Sequence, residues 1–335
     1  TQSVPLEYAQ FIAHHDLFLH AYQGLDEEDA TQGSFEFMLN NNNILTAVSE
    51  FIKENEFILV DSKLLVELDK KLDISEIPLE NTGVEIKFGT SGWRGKLGKD
   101  FVIENIRRAV KGIAEYYNAE IKKGTILIGF DPRKDNPIFA KEAASILGEN
   151  SIPVRIIIEE PTPTPVLAYL ANSDEDITGT INFTASHNPA VDDGLKFSPY
   201  HGGAADKSTT DAISKFANSA TTYKMVDYEQ AKAEGLITEV TLEEAIDKYI
   251  FGYIIPTLKE LGAWKDIIDY IRNNPDFKLI VDAMQGTGVK YLDAFYTAMA
   301  NEAGRKFFTL IHTNNNDHKF SKVNGAPNPT LADSI

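Results

Sequence analysis

The sequence predicts an α/β protein, with repeated three-layer α/β domains, mainly parallel sheets and a mostly helical N-terminal segment. Three observations carry that reading. From Val84 onward, short apolar runs alternate with helical stretches, the rhythm of strands joined by crossover helices. A second stretch, Phe277 to Ile311, repeats the same outline. The residues before Val84 instead space their apolar side chains along helical stripes. The expected divisions are an acidic helical segment at 1–84, a first α/β domain at 85–230 and a second at 236–335.

Each element follows from local pattern. Pro5–His20 places Leu6, Phe11, Ile12, Leu17 and Leu19 at loose helical spacing. Asn41, Asn42 and Asn43 form a turn ahead of a helix at Ile44–Ile52. Asp61–Leu72 puts Leu64, Leu65, Leu68 and Leu72 on one stripe, and Asn81-Thr82-Gly83 then breaks the chain. Residues 1–84 hold 16 of the 50 acidic side chains but only 4 of the 32 basic ones, which reads as a solvated helical face.

Beyond them, a helix is expected at Ile103–Tyr117 and a buried strand at Thr125–Phe130 (TILIGF), ended by Asp131-Pro132-Arg133. A helix at Pro137–Leu147, a strand at Pro153–Ile158 and a partly extended, then helical stretch at Thr162–Leu170 follow. Ile177–Phe183 (ITGTINF) alternates apolar and polar residues, as strands do. Asp211–Leu261 reads as helical, with breaks at Gly235, Gly252 and Pro256, and the boundary is expected near Glu229–Gly235. The second unit has a strand at Phe277–Val281 ending at Asp282, a Gly286-Thr287-Gly288 loop, a helix at Tyr291–Ala303 and a strand at Lys306–Ile311.

Composition excludes several classes. The 335 residues are 43% hydrophobic and 24% charged, which suits a packed globular chain. With no cysteine, there are no disulfides, thiolate metal sites or cysteine nucleophiles. A formal charge of −18 argues against a nucleic-acid partner, which needs a basic footprint. No apolar run approaches the roughly 20 residues that span a bilayer, and no signal-peptide pattern is visible. Neither a nucleic-acid nor a membrane partner is therefore expected, and the cytoplasm is the expected location.

In open α/β sheets, sites lie at the carboxyl ends of strands. After Ile177–Phe183 comes Thr184-Ala185-Ser186-His187-Asn188-Pro189, which displays Ser186 at a strand exit. A serine there either carries a phosphoryl group as a covalent intermediate or belongs to an ordinary turn. Adjacent side chains tend to point apart, so a Ser186–His187 proton relay is not expected. Three further loops can converge on this one. Gly89-Thr90-Ser91-Gly92-Trp93-Arg94-Gly95 offers glycines for close approach to an anion, hydroxyl donors and the Arg94 fork. Asp192-Asp193-Gly194-Leu195-Lys196 offers an ammonium that could act on a phosphoryl oxygen or a sugar hydroxyl. Gly202-Gly203-Ala204-Ala205 is a flexible loop before the helix from Thr210.

These loops, taken in order, resemble the α-D-phosphohexomutases, and within them the phosphoglucomutase/phosphomannomutase group. The resemblance runs from about Ile86 to the C-terminus. It implies a mutase that interconverts hexose 1-phosphates and 6-phosphates, with glucose or mannose as the sugar. Ser186 would be the phosphoserine, and a hexose 1,6-bisphosphate the intermediate and activator. His187, Arg94 and Lys196 would surround it as catalytic residues. Thr90, Ser91 and Asn188 would bind the phosphosugar substrate. Mg²⁺ would sit on the phosphate of Ser186. The chain stops after Asn328-Pro329-Thr330, before any Asp-Gly-Asp metal loop. An incomplete, self-associating part of a mutase, inactive alone, is therefore expected. Two alternatives stay open: a phosphoglucosamine mutase, and a mutase-derived protein that only binds partners.

Two stretches read as bland. Pro161–Pro165 is expected to be an extended loop near the site, and His312 and His318 to flank a surface connection at Asn314–Asn316. His14, His15 and His20 read as surface helix histidines.

Overall fold

The computed structural model describes residues 77–80, 82–90 and 92–330. The helices expected before Ile77, the three early histidines and Ser91 lie outside these residues.

The first unit is built on a six-stranded sheet. Its strands are β2 (Trp93–Lys96), β3 (Thr125–Phe130), β4 (Val154–Ile156), β5 (Ile177–Phe183), β6 (Asp192–Pro199) and β8 (Ile237–Glu239), in the order β2-β6-β5-β3-β4-β8. The β5–β3, β3–β4 and β4–β8 pairs are parallel, whereas β5–β6 and β6–β2 are antiparallel. A separate short pair joins β1 (Ile77–Pro78) to β7 (Thr222–Tyr223).

Every residue of β3 is buried, because helices cover both faces of the sheet and leave no solvent side for polar alternation. On one face lie α1 (Ile103–Tyr116), α2 (Asn136–Glu149) and α4 (Lys207–Ser219). Ile106, Val110 and Ile113 of α1 are wholly buried there. Gly112 lets α1 press against α4: a Cβ at that position would lie 2.7 Å from the backbone of Ile213 and Ala217. Arg107 of α1 and Glu142 of α2 form a buried ion pair at 2.6 Å, with the guanidinium 5.1 Å from the Tyr223 ring. Pro137 sits in the first turn of α2, where its missing N–H leaves no helical bond unmade.

The other face carries α3 (Thr164–Ser173). Its Val166 and Leu167 share a core with Trp264 and Ile268 of α8 (Ala263–Asn273) and with Tyr291 and Met299 of α9 (Val289–Ala303). Two further parallel strands, β9 (Leu279–Asp282) and β10 (Phe308–Ile311), complete the second βαβ unit. Phe308 is buried, whereas Ile280 and Ile311 are 69% and 37% exposed, so one face of this pair is uncovered among the described residues.

The structure corrects four expectations. Parts of the Gly89–Gly95 and Asp192–Lys196 loops are strands: Trp93 pairs with Leu195, and Arg94 with Gly194. Trp93 and Leu195 bury their side chains at 3% and 0% exposure, a pull that the flanking glycines and charges conceal in the sequence. Second, Gly235 does end a helix, α5 (Tyr228–Ala233), but Gly252 and Pro256 do not interrupt theirs. There α6 (Leu242–Ile246) runs through a π-helical stretch at Asp247–Ile254 into α7 (Ile255–Glu260). The wider π turn carries the chain into Pro256 without the clash a regular turn imposes. Third, Ile237–Glu239 adds to the first sheet, although 236 was the expected start of the second unit. Fourth, α4 starts at Lys207 rather than at Thr210, because Asp206 caps it, accepting the Thr209 N–H at 2.8 Å. No described helix is long and apolar enough to cross a membrane.

Candidate functional site

Strands β3 and β5 end side by side, with Phe130 opposite Phe183. Their exits carry Asp131 and Thr184, and Ser186 follows two residues later. Ser186 is exposed and adopts a left-handed backbone, φ +60°. That conformation is costly for a residue with a Cβ, roughly 1–2 kcal/mol. It also turns Ser186 and its neighbour to one side: Ser186 Oγ lies 3.2 Å from His187 Nδ1. The expectation that these two side chains diverge is therefore corrected, because it assumed ordinary extended backbone at Ser186.

Arg94 is tied to this turn. Its Nη1 donates to Asn188 Oδ1 at 3.2 Å, and Asn188 Nδ2 donates to Asp192 Oδ2 at 3.0 Å. Asp192 also accepts from Lys96 Nζ at 2.6 Å, and this bond chiefly holds its carboxyl below the ordinary carboxylate range. Gly92 makes the approach feasible. Its φ is +87°, and a Cβ there would lie 2.5 Å from the Leu195 carbonyl oxygen. Thr90 stands exposed at the tip of a turn closed by backbone bonds between Gly89 and Gly92.

Lys196 sits directly opposite Asn182, and Arg94 opposite Gly194, so register puts both cations on the Asn182 face of the sheet. The Lys196 ammonium makes no hydrogen bond or ion pair among the described residues. Register thus groups it with Arg94, but no direct bond joins it to the serine turn.

Behind the turn lies a buried charged cluster that the sequence reading did not assign. Arg133 is 1% exposed, and its Nη2 donates to the Asn188 carbonyl at 2.9 Å. Its guanidinium lies 3.7 Å from Asp131 Oδ2, 3.9 Å from Asp193 Oδ1 and 5.4 Å from the Phe320 ring. Burial pushes the Asp131 carboxyl up, and Arg133 offsets part of that. Burial and the neighbouring Asp131 push Asp193 well above the usual range. The only trace in the sequence was position, a charged pair at a strand exit beside Pro132.

A cavity of about 420 Å³ opens beside Ser186. Ser186, His187, Asn182, Thr164, Asp282 and Thr287 are among the residues lining it. Thr162 and Pro163 of the proline-rich stretch and Pro165, in the first turn of α3, also line it, so this stretch is partly helical rather than all extended. The expected surface connection at Asn314–Asn316, flanked by His312 and His318, belongs to a longer loop that packs against the serine turn. His318 Nδ1 lies 2.7 Å from the Pro132 carbonyl oxygen, and Ala190 N–H donates to the Gly325 carbonyl at 2.9 Å. Phe320 and Val323 are buried, and these apolar side chains among asparagines hold the loop against the serine turn. Among the described residues, no three His, Asp or Glu side chains gather as a metal-ligand set, so those residues do not by themselves fit Mg²⁺.

Residues 85–224 match the family model described as phosphoglucomutase/phosphomannomutase, alpha/beta/alpha domain I. A phosphoglucomutase of Komagataeibacter xylinus is 31% identical over 245 residues, which cover 69% of this chain and 42% of that protein. A phosphoglucosamine mutase of Campylobacter concisus is 26% identical over 212 residues, covering 63% and 44%. The crystal structure of the Paramecium phosphoglucomutase pp63/parafusin, in its open form, aligns with a TM-score of 0.56 at 21% identity. That alignment covers 69% of this chain and 43% of the Paramecium chain, and shows a shared fold. The chain thus spans less than half the length of these relatives. Residues 85–224 thus carry domain I of the phosphoglucomutase/phosphomannomutase type, within a chain that resembles the N-terminal part of the phosphoglucomutases it matches.

Proposed function

We propose that this chain is part of a mutase that interconverts hexose 1-phosphate and hexose 6-phosphate through a phosphoryl group carried on Ser186. The observation that carries the reading is the turn itself. An exposed serine is held in a left-handed conformation at a strand exit, beside His187 and with Arg94 anchored through Asn188.

In the first half-reaction the Oγ–P bond of phosphoserine breaks. A P–O bond forms to the free hydroxyl of the sugar phosphate, whose proton passes to a base, His187 or Lys196, while the departing Ser186 Oγ takes up a proton and becomes the serine hydroxyl. The product is a hexose 1,6-bisphosphate. In the second half, the Ser186 hydroxyl takes the other phosphoryl group, and the departing sugar oxygen is protonated. The 3.2 Å approach of His187 Nδ1 to Ser186 Oγ supports His187 as the acceptor of the serine proton. Arg94 stabilises charge on the transferring group, and Thr90, Ser91 and Asn188 contact the substrate. Mg²⁺ on the phosphoserine oxygen, with carboxylates from outside the described residues, would add electrostatic stabilisation.

The proposed substrate class is a hexose phosphate of glucose, mannose or glucosamine type. The relatives named for glucose and for glucosamine leave that class no narrower. We place the first domain from residue 85 to the end of β8, with the second domain following, and the cytoplasm as location. The uncovered Ile280–Ile311 face supports self-association through these strands.

Replacing Ser186 by Ala in the complete native polypeptide tests the reading. Conversion of glucose, mannose and glucosamine 1-phosphates should be lost, and retained conversion of any of them would contradict it.

A further inference from the structure

We infer that Asp131 and Thr184 are positioning residues, which fix the backbone of Ser186 through a hydroxyl relay. The inference rests on the reading that Ser186 carries the phosphoryl group.

The Thr184 hydroxyl makes two bonds. It donates to Asp131 Oδ2 at 2.7 Å, and it accepts the Ser186 N–H at 2.9 Å. A hydroxyl has one proton. With that proton committed to the carboxylate, an oxygen lone pair faces the serine amide. The carboxylate is held in turn. Asp131 Oδ1 accepts the Arg133 N–H at 3.1 Å and Asn136 Nδ2 at 2.9 Å, and Asp131 is 5% exposed. Both anchors lie at the ends of strands in the sheet, since the Asp131 N–H donates to the Phe183 carbonyl and the Thr184 N–H to the Gly194 carbonyl. The relay therefore links a rigid sheet to the one residue of the turn in the left-handed region.

The same chemistry recurs without a site. At the opposite end of β3, Thr125 Oγ1 donates to Asp176 Oδ2, also at 2.7 Å, and Thr125 is also 5% exposed. No left-handed residue lies two positions beyond Thr125. Thr125→Val therefore removes a like bond without touching the turn. A phosphoryl acceptor misplaced by about 1 Å loses up to roughly a hundredfold in rate, so a relay that holds Ser186 acts on turnover more than on substrate affinity.

The experiment compares four variants of the complete native polypeptide. The substrates are glucose, mannose and glucosamine 1-phosphates, each with its 1,6-bisphosphate. Ser186→Ala should abolish turnover. Thr184→Val should lower kcat about ten- to a hundredfold with KM held within about twofold. Thr184→Ser, which keeps the relay, should stay within about threefold of the parent. Thr125→Val should keep its kcat even where its melting temperature falls. Hydrogen exchange of the Ser186 amide in the parent protein, read by NMR, should be slower than in an unprotected peptide.

A kcat for Thr184→Val within about twofold of the parent would overturn the relay, as would unprotected exchange at Ser186 should that variant fail to fold. Turnover by Ser186→Ala would instead overturn the mutase reading, so the two failures are separable.

Discussion

Asp131 and Asp282 occupy matching places in the two βαβ units, each at the end of a first strand and ahead of a loop and a helix. Their surroundings differ. Asp131 is buried, bonded to Thr184, Asn136 and the Arg133 backbone, and packed under the serine turn. Asp282 is about a third exposed and pairs with His312 Nδ1 at 2.9 Å. The strands differ in the same way: every residue of β3 is buried, whereas β9 alternates between half-buried and exposed. One outline in sequence thus gives two environments. The environment, set by what covers the sheet, decides which strand exit can hold charges rigidly.

Four substitutions sharpen or break that contrast. The largest effect should come from the buried ion pair of the first unit. Glu142→Ala removes the carboxylate that faces the buried Arg107 guanidinium and should lower unfolding free energy by about 3–5 kcal/mol in urea denaturation. A loss below about 1 kcal/mol would mean that water reaches Arg107 as it reaches surface pairs.

Next is Gly112→Ala, which drives a methyl group into the backbone of α4 at 2.7 Å. Overpacking should cost about 1–3 kcal/mol despite alanine's better helix propensity, read as a lower melting temperature. A raised melting temperature would show that α1 and α4 separate freely.

The third is a pH test. The Asp193 carboxyl is raised above its unfolded value by burial and by Asp131. A raised acid binds its proton more tightly in the folded state. It therefore contributes stability at acid pH that is lost as pH rises from about 4 through the raised folded value. Asp193→Asn should remove this loss, so the difference in melting temperature between variant and parent should grow in the variant's favour as pH rises. A constant difference across that window would contradict the shift.

The smallest effect should lie in the second unit. Lys265 pairs with Asp269 four residues on, and its side chain is 81% exposed. Lys265→Ala should leave the urea midpoint and melting temperature close to the parent's, as expected for an exposed helical pair. A clear fall in either would mean that this helix face is covered in solution.

The sequence made part of this legible and hid part for physical reasons. TILIGF and ITGTINF matched their strands residue for residue, because long apolar or alternating runs admit few other structures. The serine loop was readable as a strand exit. Strands β2 and β6 were not, since Gly92, Gly95 and Gly194 read as turns while Trp93 and Leu195 drive the pairing from opposite ends of the first unit. The Ser186–His187 approach was hidden because sequence carries no backbone angle. Arg133 and Asp193 were hidden because charged residues read as surface until packing shows otherwise. Asn314–Asn316 read as a surface connection because Phe320 and Val323, the two side chains that anchor the loop, lie beyond it in the sequence.

The central claim is that Ser186 carries the phosphoryl group, and peptide mapping by mass spectrometry tests it most directly. The complete native protein would be incubated with glucose 1,6-bisphosphate and digested, and the peptide containing Ser186 weighed and fragmented. The account predicts a phosphate-sized increment located on Ser186 and absent from the Ser186→Ala variant. Mutase turnover with an unmodified Ser186 peptide, or phosphate located on another residue, would contradict it.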